Sequence, residues 1–210
     1  MASLVDKYFS KADFEAIETA IKKAELSTSG ELVVNLAVRS RHWDLERIIH
    51  GVVVAVITAG LVLYFTREVD WGVYYNATQA ALWSGVAFLA VYFGWGRFLM
   101  RRERRRKAVW NRALDLFHKI EPTRGLTGVL IFMSLEEDQA AVVADKGIAE
   151  KVPSDYWDIP HSMIVEAMKK GDHAEGVVRA VETIGAELAR YFPREDDDIN
   201  ELPDKPQVVD

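Results

Sequence analysis

Two long apolar runs divide the chain. Residues 51–65 (GVVVAVITAGLVLYF) carry no charge, and the run effectively begins at Ile48. Residues 77–96 (ATQAALWSGVAFLAVYFGWG) are again uncharged. About 20 helical residues, at a rise of about 1.5 Å each, cross a hydrocarbon core of roughly 30 Å. The pattern therefore predicts two membrane-spanning helices, joined as a hairpin by the polar loop 67–76. The competing reading, a pair of buried helices in a soluble protein, requires a core out of proportion to a chain of 210 residues.

Outside the hairpin the periodicity alternates between helix and strand. Phe14, Ile17, Ile21 and Ala24 recur at helix spacing after Ser10 and Asp13, which stand three apart as in a capping box. Gly30 reads as the residue that ends this helix. Residues 31–39 (ELVVNLAVR) and 128–134 (GVLIFMS) are almost continuously apolar, as expected of strands covered on both faces. Residues 140–145 (AAVVAD) read as a third strand, paired with the second through the acidic turn 135–138.

Between the hairpin and the second strand, Val109, Ala113, Leu116, Phe117 and Ile120 share one face of a helix. Two further helices carry Trp157, Met163, Ile164, Ala167 and Met168, then Val177, Val178, Val181, Ile184, Leu188 and Phe192. Ser154 and Asp155 read as the cap of the former, with Pro160 either kinking it or lying at its start. A strand–helix–strand crossover makes the first two strands parallel.

The expected fold is therefore α/β, with a small mixed sheet interrupted by the hairpin. Residues 1–47 and 108–193 form one soluble domain, and 48–107 form the hairpin with a basic collar. Residues 194–210 hold seven acids against Arg194 and Lys205 and read as a disordered acidic tail.

Charge orients the hairpin. Arg39, Arg41 and Arg47 precede the first run. Arg97, Arg101, Arg102, Arg104, Arg105, Arg106, Lys107 and Arg112 follow the second, whereas the connecting loop has Arg67 alone beside Glu68 and Asp70. By the positive-inside rule both termini and the soluble domain are expected on the cytoplasmic side of the inner (plasma) membrane. Tyr64, Trp71, Tyr74 and Tyr75 at the outer end, and Trp43, Trp95 and Phe98 at the inner end, suit interfacial belts. The collar fits anionic lipid headgroups better than nucleic acid. Gly51, Ala55 and Ala59 form a small-residue ridge suited to close packing against the second span or against a second copy. The N-terminus lacks a signal-peptide pattern, so the first span is expected to act as the insertion signal.

Candidate chemistry is sparse. There is no cysteine, and the five histidines are scattered without metal-ligand spacing. HExxH, GxSxG, the P-loop and GxGxxG are all missing, so no nucleotide or haem is expected. Carboxylates at strand ends remain. The topology above puts Glu31 and Asp145 at one end of the sheet, where Asp155 could join them, and Glu136, Glu137 and Asp138 at the other. Clustered oxygens suit Ca²⁺ or Mg²⁺, and such an ion could activate water or clamp a phosphoryl group. The bland reading is solvated turn acids, with Asp145-Lys146-Gly147 as turn chemistry.

Taken together, Thr28-Ser29-Gly30-Glu31, Gly128-Val129-Leu130-Ile131, Ala144-Asp145-Lys146-Gly147-Ile148, Trp157, Gly171-Asp172, Gly176, Gly185, Leu188 and Phe192-Pro193 resemble, in order and spacing, the TPM domain family. That family includes thylakoid-lumen proteins of photosystem repair and bacterial membrane proteins. Thr127 departs from it, since similar sequences often carry Asn there. The resemblance implies an α/β/α sandwich. It also implies two functional traditions: cation-binding or assembly modules for membrane protein complexes, and acid phosphatases. Without a nucleophile beside a base, the sequence favours a membrane-anchored interaction or assembly module with a membrane protein partner. A metal-dependent acid phosphatase acting on phosphate monoesters is the alternative.

Overall fold

The computed structural model describes residues 4–41, 44–66, 76–95, 102–120, 126–195 and 199–209. The expectations placed on Arg67, Trp71, Tyr74, Tyr75, Trp43, Arg97 and Phe98 lie outside these residues. The chain separates into two compact units, 1–41 with 105–210, and 42–104.

The first unit is built on a four-stranded mixed sheet. Helix α1 (Lys11–Glu25) opens with the expected capping box: Ser10 Oγ accepts from the Asp13 amide, and the Asp13 carboxylate accepts from the Ser10 amide. It ends at Leu26 rather than at Gly30. Gly30 has a different task, since a Cβ there would come within 2.9 Å of Leu188 Cδ1.

Strand β1 (Glu31–Ala37) pairs in parallel with β2 (Gly128–Ser134), Glu31 opposite Gly128 and Ala37 opposite Ser134. Strand β3 (Gln139–Ala144) returns antiparallel to β2 across the turn 135–138. A fourth strand joins the three that the sequence pattern predicts. Residues Gln207–Val209 form β4, parallel to β1, and the sheet order is β3-β2-β1-β4. Where the sequence suggests a disordered tail, residues 207–209 dock on the sheet edge and Leu202 is buried.

Both faces of the sheet are covered, as continuous apolar strands require. Leu32, Val34, Leu36, Val129, Ile131 and Met133 meet α1 and the C-terminal helices α6 (Asp158–Lys170) and α7 (His173–Tyr191). Val33, Leu130, Phe132, Ala141 and Val143 meet Val109 and Ala113 of the helix before β2, α4 (Arg102–Phe117). A short helix α5 (Lys146–Ala149) follows β3. The result is the expected α/β/α sandwich.

Helix α7 meets α6 and α1 at glycines, where a side chain would not fit. A Cβ on Gly176 would lie 2.5 Å from Ala167 Cβ, and one on Gly185 2.5 Å from Ala24 Cβ. The Ser154–Asp155 cap is corrected: Ser154–Trp157 is a separate 3-10 turn, and α6 begins at Asp158. Pro160 thus sits in the first helical turn, where its missing N–H costs nothing.

The second unit contains α2 (Asp44–Phe65) and α3 (Ala77–Ala90), the latter running into a π turn at Val91–Trp95. Two helical stretches, Arg47–Phe65 and Ala77–Gly94, are long and apolar enough to span a membrane. Only 6% and 11% of their apolar windows are buried. A core helix of a soluble protein buries most of such a surface. Within this unit the two helices pack at Gly51, where a Cβ would stand 2.8 Å from Phe88 Cδ2. The first member of the small-residue ridge therefore serves the hairpin itself. Asn76 Oδ1 caps α3 by accepting from the Gln79 amide at 3.0 Å.

Candidate docking groove

The carboxylates singled out from the sequence do not converge. Glu31 and the region of Asp145 do lie at one end of the sheet, since the Glu31 amide donates to the Thr127 carbonyl and the Asp145 amide to that of Gly128. Strand β2 runs between their strands, however, and two strand spacings amount to about 10 Å. Each acid is also engaged locally. Glu31 is buried and accepts from the amides of Glu201 and Leu202, both at 3.3 Å, so it fastens the tail. Asp145 caps α5 by accepting from the Lys146 amide at 2.7 Å. Asp155 is exposed on the 3-10 turn.

At the opposite end, Glu137 is 1% exposed. Its carboxylate accepts from the Ser40 amide at 3.1 Å and from the Ser134 hydroxyl. It clasps the hairpin turn to the end of β1. Glu136 is half-buried, and its amide bonds the Val38 carbonyl. Asp138 is exposed, with a positive φ of 50° that completes the turn. Among the described residues, no three His, Asp or Glu side chains are placed to hold a metal ion. Thr127 is structural too, its hydroxyl donating to the Ser29 carbonyl at 3.2 Å.

One further acid is strongly perturbed. Glu25, at the last turn of α1, is 9% exposed and accepts from the Leu32 amide at 3.0 Å. Burial pushes its carboxyl up to about 8, and the neighbouring acids Glu31 and Asp204 push the same way against that hydrogen bond. Its position continues the inward series Ile17, Ile21 at i+4, which was the available signal.

Among the described residues, a groove of about 440 Å³ with room for a ligand runs along β3. Its floor is Ala140–Ala144, and the small alanines leave space above the strand. One wall is α4, through Arg106, Trp110 and Leu114, spaced four apart on one helix face. The other wall is Ala149, Val152, Ser154, Trp157, Asp158 and His161. The sequence periodicity marks a neighbouring stripe, Val109, Ala113, Leu116, Phe117 and Ile120, as the apolar face of this helix. The second stripe was visible in Trp110 and Leu114, and the opposing wall only in the folded chain.

The floor is also a sheet edge. The Asp145 amide points to β2, and antiparallel pairing alternates, so residues 143 and 141 point there too. Ala140, Val142 and Ala144 then direct their backbone groups away from β2, into the groove. Among the described residues nothing hydrogen-bonds these outward groups.

Residues 103–187 match the model of the TPM domain family, a span that contains every residue lining the groove. The fold is similar to the solution structure of the BA42 protein from the psychrophilic bacterium Bizionia argentinensis, with a TM-score of 0.60 and 26% identity over 100% of both chains. No curated protein matches the sequence. Residues 103–187 are thus similar to the TPM domain, and the fold of the chain is similar to that of the BA42 protein.

Proposed function

We propose that this protein is a membrane-anchored interaction module that serves the assembly or repair of membrane protein complexes. The observation that carries the reading is the groove on β3: apolar, walled by two tryptophans, and floored by a strand with unmet backbone groups. The two exposed apolar helices are the anchor, held in the inner membrane with the α/β unit on the cytoplasmic side, where the basic residues lie. A metal-dependent phosphatase needs converging ligands, and Glu31, Asp145 and Asp155 are instead engaged in local hydrogen bonds or exposed.

The test places a photocrosslinking residue at position 110 of the full chain in its native membranes. A discrete protein adduct, lost in the Leu114→Arg variant while the chain stays folded, is the expected result. In parallel, the lipid-embedded protein is assayed on a phosphate monoester with and without Mg²⁺ or Ca²⁺. Turnover that disappears in Asp145→Asn would overturn the reading in favour of the phosphatase.

A further inference from the structure

The fold treats its two sheet edges differently. β4 covers β1, whereas among the described residues β3 has no strand on its outer side. Native proteins rarely leave such an edge unguarded, because it is a template for another strand. Here the edge is recessed: Ala140 and Val142 are only 3% and 6% exposed, at the floor of the groove. Backbone groups sheltered from bulk water and left unpaired are costly, so the site favours an occupant that supplies amides and carbonyls.

Resting on the interaction-module reading, we propose that the groove binds a partner's extended peptide segment, which adds to β3 as a fifth strand. The outward groups of Ala140, Val142 and Ala144 supply the ladder, the mode known as β-augmentation. The walls favour one strand over a second copy of the sheet, since α4 and α6 pack on opposite faces and flank the edge on both sides. They also dictate the pattern. Successive side chains of an added strand point to opposite faces. One set meets Arg106 and Trp110, and the other meets Asp158. The partner segment therefore alternates, with acidic or apolar residues toward α4 and apolar or basic residues toward α6.

The experiment selects displayed random octapeptides on the full chain in lipid nanodiscs, then resynthesises the winners. Alternating sequences with acids in one register are expected. N-methylating alternate peptide amides should abolish binding in one register and spare the other. Val142→Pro removes an outward N–H but no bond to β2, and should weaken binding at least tenfold. Arg106→Glu alters an exposed side chain and cannot unfold the core; it should shift the selected acids to bases. Helical winners, indifference to N-methylation, or dimers paired through β3 would overturn the proposal. If these arise while the position-110 adduct persists, strand addition fails and the interaction module stands. If the adduct is missing as well, both fail.

Discussion

At pH 8 the Glu25→Gln variant is expected to be more stable than the unaltered protein, by on the order of 3 kcal/mol. Glu25 is buried at the end of α1 with its carboxyl raised to about 8. In the unfolded chain the same group titrates near 4.5. Between those values the folded protein holds a proton that the unfolded chain has lost. Stability therefore falls as pH rises through this window, at a limiting slope of about 1.4 kcal/mol per pH unit. Glutamine keeps the oxygen that accepts from the Leu32 amide and cannot ionise, so the slope from this site disappears. Urea titrations of both proteins at pH 5 and pH 8 check it. The curves should nearly coincide at pH 5 and separate at pH 8; equal midpoints at both would refute the assignment. The neighbours amplify the effect, because ionised Glu25 faces Glu31, which fastens the tail, and Asp204 within the tail itself. Exchange of the Leu202 amide should quicken above pH 8 for the same reason.

Glu137→Ala is expected to cost about 3 to 4 kcal/mol, since hydrogen bonds to a charged acceptor contribute roughly 1.5 to 3 kcal/mol each and buried donors lose their partner. The Ser40 amide and the Ser134 hydroxyl both donate to this one carboxylate, which is almost fully enclosed. A thermal melt of the variant checks the loss. Asp138→Ala, three bonds along the same acidic turn but exposed, provides the contrast and should shift stability by much less. Comparable losses for the two would contradict the clasp.

These two acids show where sequence reading stops. Strands β1, β2 and β3 and their directions were legible, because continuous apolar runs separated by turn chemistry admit few other arrangements. α1 and α7 were legible from their 3.6-residue period. Strand β4 was not: three residues, two of them exposed, follow an acidic run and prolines, and only the partly buried Val209 packs against the core. Glu137 and Asp138 look alike in sequence, yet one is enclosed and the other solvated, a difference set by the end of β1, nearly a hundred positions earlier. Gly30 was read as a helix terminator when its demand is steric, against a leucine at position 188. The groove was hidden for a similar reason. Its alanine floor looked like an ordinary strand, and its walls come from segments about fifty residues apart that only the fold brings together.

The anchor and the groove together make the account, and the anchor is the more direct to test. Membranes carrying the full chain are washed with alkaline carbonate and floated through a density gradient. The account predicts that the chain stays with the bilayer and rises with the lipid. Quantitative release of the intact chain into the wash would contradict it, and would return α2 and α3 to the interior of a soluble assembly.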